Sequence, residues 1–188
     1  KILSIQSNRI TKIEGLESLT ALEELYLSHN GLTKIEGLEN NVSLHDRSVE
    51  RRNDAQLRLR TLDVGNNAIE EIENISHLSE LEEFWVSLLA TERYPLLSWL
   101  HRGSLADEKA SGNQIKTLRA LDSQLAPLKK LETVYLEGNP CQKNDMTGYR
   151  RKIILALPQV KQIDATYVCS PYTTSRMARL TARFVKLS

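Results

Sequence analysis

Residues 22–30 read LEELYLSHN, and the same pattern returns along the chain. Leu22, Leu25 and Leu27 are the apolar positions, and Asn30 closes the segment. Segments of the same form end at Asn8 (LSIQSN, residues 3–8), Asn67 (LDVGNN, residues 62–67) and Asn139 (VYLEGN, residues 134–139). A fifth is split, with EFW at 83–85 and ASGN at 110–113. The spacing is 22 residues from Asn8 to Asn30, 37 to Asn67, 46 to Asn113 and 26 to Asn139. Against a period of 22, the two long intervals carry surpluses of 15 and 24 residues, which place insertions at 42–56 and 86–109. Within the quoted stretch the side chains alternate as in a strand, so Leu25 and Leu27 point inward and Glu24 and Tyr26 outward. Asn30 then turns inward, where its amide satisfies backbone groups that the turn would otherwise bury unpaired.

A period in the low twenties with L-x-x-L-x-L-x-x-N is the leucine-rich-repeat signature. The expected fold class is α/β: a leucine-rich-repeat right-handed solenoid with a parallel concave sheet and a C-terminal cap. Strands are expected to centre on Ser4, Tyr26, Asp63, Trp85 and Tyr135. After each asparagine come apolar residues at spacings of three, such as Leu32, Ile35 and Leu38, which fit one face of a helix or short 3₁₀ segment. No single unit buries its own apolar face, so stacking of neighbours closes the core. Three parts are expected: about five interrupted repeats over 1–139, a C-terminal cap over 140–168, and a non-repeat, disordered tail over 169–188. In the cap, Asp145 or Thr147 is expected to start a helix through Tyr149, Ile153, Ile154 and Leu157, which Pro158 stops.

Composition sets limits on function. The 188 residues are 40% apolar and 26% charged with a net charge of +1, which gives no electrostatic footprint for nucleic acid. No apolar run approaches the roughly 20 residues needed to span a bilayer. Cys141 and Cys169 do not form a disulfide framework, which favours a reducing compartment; a bridge between the two is the alternative. Glu23–Glu24 and Glu82–Glu83 are adjacent carboxylates, but neighbours on a strand face opposite ways and do not make an acid/base pair. His29, His45, His77 and His101 show no metal-ligand spacing with one another or with the cysteines. No glycine-rich phosphate loop occurs. The expectation is therefore no enzyme, no cofactor and no metal.

The stretches NRITKIEGLESLTALEELYLSHNGLTKIEGLENN, AIEEIENISHLSELEEFW, LETVYLEGNP and YRRKIILALPQVKQIDATYV add a resemblance. They closely resemble the leucine-rich-repeat regulatory subunits of protein phosphatase 1, over residues 1–41, 57–85 and 110–168. Members of that family carry roughly twice as many repeats, and Lys1 enters in mid-repeat, so the chain reads as a C-terminal portion. The resemblance implies a non-catalytic regulatory or scaffold subunit that binds the protein phosphatase 1 catalytic subunit through its concave face. It also implies a nuclear and cytoplasmic protein, monomeric, with neither nucleic acid nor membrane as partner. The matching contact positions are Asp63, Glu83, Trp85 and Tyr135. The alternative is another intracellular leucine-rich-repeat adaptor of a spliceosomal, ciliary or cytoskeletal kind.

Alternation alone puts the same four residues on the outward face, together with Glu24, Tyr26, Thr61 and Thr133. That surface is acidic and aromatic. Trp and Tyr are frequent hot-spot residues, and acidic neighbours suit a partner patch carrying Lys or Arg. An outward glutamate is ordinary for a strand, whereas an outward Trp85 is hard to explain by folding.

Both insertions begin Val-Ser, which GTA-AGT encodes, and end at Gln56 and Lys109, whose codons CAG and AAG end in AG. Val168-Cys169, where the resemblance stops, fits a further donor sequence. Segments 42–56, 86–109 and 169–188 therefore read as translated introns, with natural loops as the alternative. The first enters a connection and loops out at little cost. The second interrupts the fourth strand segment after Trp85, so Val86 must replace Ala110 as the inward residue and Asn113 must act from across the insertion. Deleting 86–109 is accordingly expected to stabilise the array, and deleting 42–56 to change little.

Overall fold

The computed structural model describes residues 1–39, 58–87 and 113–168. The 42–56 insertion, residues 88–109 of the second insertion, the 169–188 tail, Cys169, His45 and His101 lie outside the described residues. Each repeat contributes one three-residue strand: β1 (Ile2–Ser4), β2 (Glu24–Tyr26), β3 (Thr61–Asp63), β4 (Glu83–Trp85) and β5 (Thr133–Tyr135). Two short strands follow, β6 (Gln162–Ile163) and β7 (Thr166–Tyr167). All seven form one sheet in chain order, parallel through β6 and antiparallel between β6 and β7. The residues expected at the strand centres are instead the last residues of β1 to β5. The centre belongs to the inward residue before each of them, because the pairing runs Leu3–Leu25–Leu62–Phe84–Val134–Ile163.

The apolar pattern builds the core. Leu25, Leu62, Phe84, Val134 and Ile163 are all 0% exposed. Leu27, Val64, Val86 and Leu136 form the next inward row, and Leu22, Leu59, Leu81 and Leu131 the row before. Burial of a Leu, Val, Ile or Phe side chain is worth about 1.5–3 kcal/mol, so these rows hold the stack together.

The turn asparagines do what their spacing implies. Asn30 Nδ2 donates to Leu27 O of its own repeat (2.9 Å) and Ile5 O of the preceding one (3.1 Å), while Oδ1 accepts from Ile10 N (3.0 Å). Asn67 repeats the set with Val64 O, Leu27 O and Leu32 N. Asn139 does so with Leu136 O, Val86 O and Ile115 N. Asn113 donates to Val86 O (2.8 Å) and Val64 O (2.9 Å) and accepts from Ile69 N (2.9 Å). The carbonyl of its own repeat lies 27 residues upstream rather than the usual 3. Val86, 0% exposed, thus takes the inward place and the ladder continues through the interrupted repeat.

The other side of each repeat departs from expectation. Leu32, Ile35 and Leu38 are buried, but no helix carries them. The residue seven positions after Asn8, Asn30 and Asn67 is left-handed: Gly15 (φ 76°), Gly37 (φ 70°) and Asn74 (φ 56°). A left-handed residue breaks an α-helix, so the three-residue spacing comes from tight turns. At Gly37 a Cβ would stand 2.1 Å from Ile13 O, so the backbones touch there. The fourth repeat is four residues longer than the period and takes them up in a π-helical turn, Leu121–Leu125, closed by Ala126 N to Leu121 O.

The last repeat ends differently. In the array the N–H after each strand bonds the next strand's carbonyl: Leu27 N to Asp63 O, Val64 N to Trp85 O, Val86 N to Tyr135 O. At the end Leu136 N (2.9 Å) and Glu137 N (3.0 Å) donate instead to Asp164 Oδ1. Tyr149 OH donates to Asp164 Oδ2 at 3.0 Å, and Asp164 itself turns the chain at φ 51°. The Asp164 carboxylate, just past the short β6, takes the place of the strand carbonyl that Leu136 N would otherwise meet. A short helix α1 (Pro140–Lys143) precedes α2 (Tyr149–Ala156). α2 begins later than expected, because Asp145 forms the turn before it, accepting Gly148 N through Oδ1. Ile154 and Leu155 lie on its exposed side. The Arg150 guanidinium bonds Ile163 O, Thr166 O and Tyr167 O and so holds the β6–β7 hairpin.

Candidate functional site

The outward face of the sheet collects all eight residues that alternation selects, in two registered rows. One row is Glu24–Thr61–Glu83–Thr133, which β6 extends to Gln162. The other is Tyr26–Asp63–Trp85–Tyr135. Adjacent strands stand about 4.8 Å apart, so neighbours in a row touch. The Trp85 and Tyr135 rings meet at a centroid distance of 4.8 Å, tilted by 37°, a favourable aromatic geometry. Tyr26 OH donates to Glu24 Oε2 at 2.8 Å.

Two of the eight are less available than alternation implies. Asp63 is 2% exposed and Thr61 8%. Asp63 Oδ1 accepts Gly65 N at 2.9 Å and Oδ2 accepts Gln6 Nε2 at 3.3 Å. Gln6 also donates to Ser28 Oγ at 2.9 Å. Burial pushes the Asp63 carboxyl above its ordinary range, and the bonds from Gly65, Ser28 and Gln6 only partly offset this. Tyr26 is pushed up to about 12, by burial first, then by its bond to Glu24 and the nearby charges of Glu24, Glu83 and Asp63. The indole Nε1 of Trp85 is shielded from water and has no acceptor among the described residues.

Gln6, Ser28 and Gln162 belong to this surface and were missed by the sequence reading. Gln162 Nε2 donates to Tyr135 OH at 2.5 Å. The signal was available: the period-two alternation continues two residues past β1 and β2, to Gln6 and Ser28, and places Gln162 level with Thr133.

The remaining candidates read as structural. His77 Nε2 lies 2.9 Å from Leu38 O, and the His29 ring lies against the Asn66 amide. Cys141 is buried, and burial pushes its thiol up to about 11. Among the described residues no group of three or more His, Cys, Asp or Glu could hold a metal ion, and no helix is long and apolar enough to cross a membrane.

Residues 1–40 match the family described as Leucine Rich repeats (2 copies). Protein phosphatase 1 regulatory subunit SDS22 of Schizosaccharomyces pombe is 48% identical over 65 residues, which is 35% of this chain and 20% of that protein. Protein phosphatase 1 regulatory subunit 7 of Mus musculus is 62% identical over 45 residues, 24% of this chain and 12% of that one. The matches thus span a fifth or less of the length of these relatives. Among solved structures, the Drosophila melanogaster SNF/U2A' complex aligns with a TM-score of 0.62 at 22% identity, over 90% of this chain and 75% of that one. This likeness concerns the fold alone. The chain is a leucine-rich-repeat solenoid, and its repeats are similar to those of protein phosphatase 1 regulatory subunits.

Proposed function

We propose that this chain is a non-catalytic regulatory or scaffold unit that binds the protein phosphatase 1 catalytic subunit through the outward face of its sheet. The observation that carries the reading is the registered row Tyr26–Asp63–Trp85–Tyr135, on repeats that match phosphatase regulatory subunits. Trp85 is the centre of the surface. Its ring is held by Tyr135 and stays half-buried on the outward face, open to contact by a partner. Glu24 and Glu83 flank the aromatic residues with negative charge, which suits a basic partner patch. Asp63 acts behind them, through Gly65 and Gln6. Monomeric state, residence in nucleus and cytoplasm, and the lack of nucleic-acid and membrane partners belong to the same proposal.

The test is titration of the full chain and its Trp85→Ala variant against the phosphatase catalytic subunit. Loss of about 2 kcal/mol or more of binding, the hot-spot scale, is expected. Equal affinities would remove Trp85 from the surface, and no binding by either chain would reject the partner.

A further inference from the structure

Tyr26 and Tyr135 stand in the same outward row, and the hydroxyl of each is anchored in a different way. Tyr26 OH bonds Glu24 Oε2 at 2.8 Å, two residues back in its own strand. Tyr135 has Thr133 at the matching place, and a threonine side chain is too short to reach the far end of the ring. The anchor comes from the next strand instead. Gln162 of β6 lies level with Thr133, and its Nε2 donates to Tyr135 OH at 2.5 Å. The same nitrogen donates to Asp164 O at 2.9 Å. A backbone carbonyl only accepts, so this second bond fixes which end of the Gln162 amide faces the tyrosine. Both amide protons are then committed, and the Tyr135 oxygen is held as an acceptor.

Asp164 is fixed in turn. It is 8% exposed. Its Oδ1 takes Leu136 N and Glu137 N, and its Oδ2 takes Tyr149 OH of α2. A chain of contacts therefore runs from the cap helix through Asp164 and Gln162 to the Tyr135 hydroxyl. The Tyr135 ring carries it on to Trp85, at a centroid distance of 4.8 Å. Trp85 and Tyr135 are both half-buried, so enclosure alone does not fix either ring. We infer that Gln162 is a positioning residue of the proposed binding face: by pinning the Tyr135 hydroxyl it holds that ring against Trp85, and it makes the cap a working part of the face. The effect on affinity rests on the phosphatase-binding reading, whereas the positioning belongs to the free chain. A pinned pair is already ordered when the partner arrives, and a loose pair must be ordered on binding at a cost in affinity. Gln162 acts here through Tyr135 and not by touching the partner.

The experiment uses the full chain with Trp99→Phe, which leaves Trp85 as the one indole, since the chain holds two tryptophans. Gln162→Leu, Tyr135→Phe and the double variant are compared with it. Tyr135→Phe keeps the Gln162–Asp164 bond, so it tests the hydroxyl even where Gln162→Leu loosens the hairpin. In the free chain, acrylamide quenching of Trp85 fluorescence should rise by the same factor in both single variants and no further in the double. Affinity for the phosphatase catalytic subunit should fall about three- to tenfold in each single variant, the worth of one hydrogen bond. The double variant should lose no more than either, because both substitutions break the same link. Quenching unchanged in Gln162→Leu overturns the positioning. Quenching raised with affinity unchanged overturns the part of the cap in binding. A further loss in the double variant means that Gln162 meets the partner directly, and it overturns action through Tyr135. A parent chain that does not bind rejects the phosphatase reading alone, and the quenching still decides whether Gln162 positions the pair.

Discussion

The two sides of one sheet treat polar groups in opposite ways. On the inward side, Asn67, Asn113 and Asn139 are buried and their amides meet carbonyls and N–H groups at 2.8–3.2 Å. On the outward side, Asp63 is as deeply buried, yet its carboxyl is pushed up in pKa. Trp85 keeps a shielded donor with no acceptor among the described residues. A buried polar group left unsatisfied costs about 1–3 kcal/mol. Stability accounts for the inward row and not for the outward one. Both groups lie on the face proposed for binding, where Glu24, Glu83 and the Trp85–Tyr135 pair are the half-buried side chains that a partner can reach.

The sharpest break of this comparison is Asn67→Ala. It strips partners from Leu27 O, Val64 O, Gly65 O and Leu32 N at once, and should cost about 3 kcal/mol or more. Asn8→Ala removes contacts only to Ile5 O and Gln6 O at the exposed edge and should cost about 1 kcal/mol. Denaturant melts of both variants measure the difference; equal losses would mean that the bridge between repeats contributes nothing. Trp85→Ala should do the converse: it loses about 2 kcal/mol of partner binding, while its circular dichroism and denaturant midpoint stay near those of the parent.

The interrupted fourth repeat sharpens the inward side. Removing residues 86–109 joins Trp85 to Ala110, whereas removing 88–111 joins Ser87 to Gly112. Both deletions restore the period, and they differ in whether the inward place holds Ala or the fully buried Val86. Both are expected to melt above the parent. The second should exceed the first by roughly 1–2 kcal/mol, the scale of lost methyl groups in a packed core. If the two melt together, Val86 is not a packing residue. If neither exceeds the parent, the insertion costs the array nothing.

The inward side was legible because its signals are local and periodic. A turn asparagine on a period near 22 once the two insertions are set aside, with apolar residues five and three before it, gave each strand, and Val86 followed from the same count. The turns after Asn30 and Asn67 were not legible as turns. Leu32, Ile35 and Leu38 carry helix spacing, and only the left-handed Gly37 and Asn74 distinguish a kinked chain from a helix. The membership of the outward rows was legible from alternation, but its chemistry was not. The burial of Asp63 depends on Gln6, 57 residues away, and the role of Asp164 on Leu136, 28 residues away. Neither pairing leaves a trace in local sequence.

Asp63 gives the smallest effect and tests the cost directly. A carboxyl whose folded pKa lies above its ordinary value favours the fold when protonated. That contribution is fully present below the ordinary pKa near 3.8 and is lost as pH rises through the folded value. At neutral pH the buried charge therefore weighs against the native state. Asp63→Asn keeps a side-chain oxygen for Gly65 N and removes the charge, so it should stabilise the chain at pH 7 by roughly 0.5–1 kcal/mol. The gain should shrink as pH falls towards the ordinary carboxyl range, where the wild-type group is itself neutral. The same substitution should weaken phosphatase binding if the negative face matters. Paired melts at pH 7 and at acid pH, with one binding titration, separate the outcomes. A variant less stable at pH 7 would show that the bonds from Gly65, Gln6 and Ser28 outweigh burial. The outward row would then be as well satisfied as the inward one.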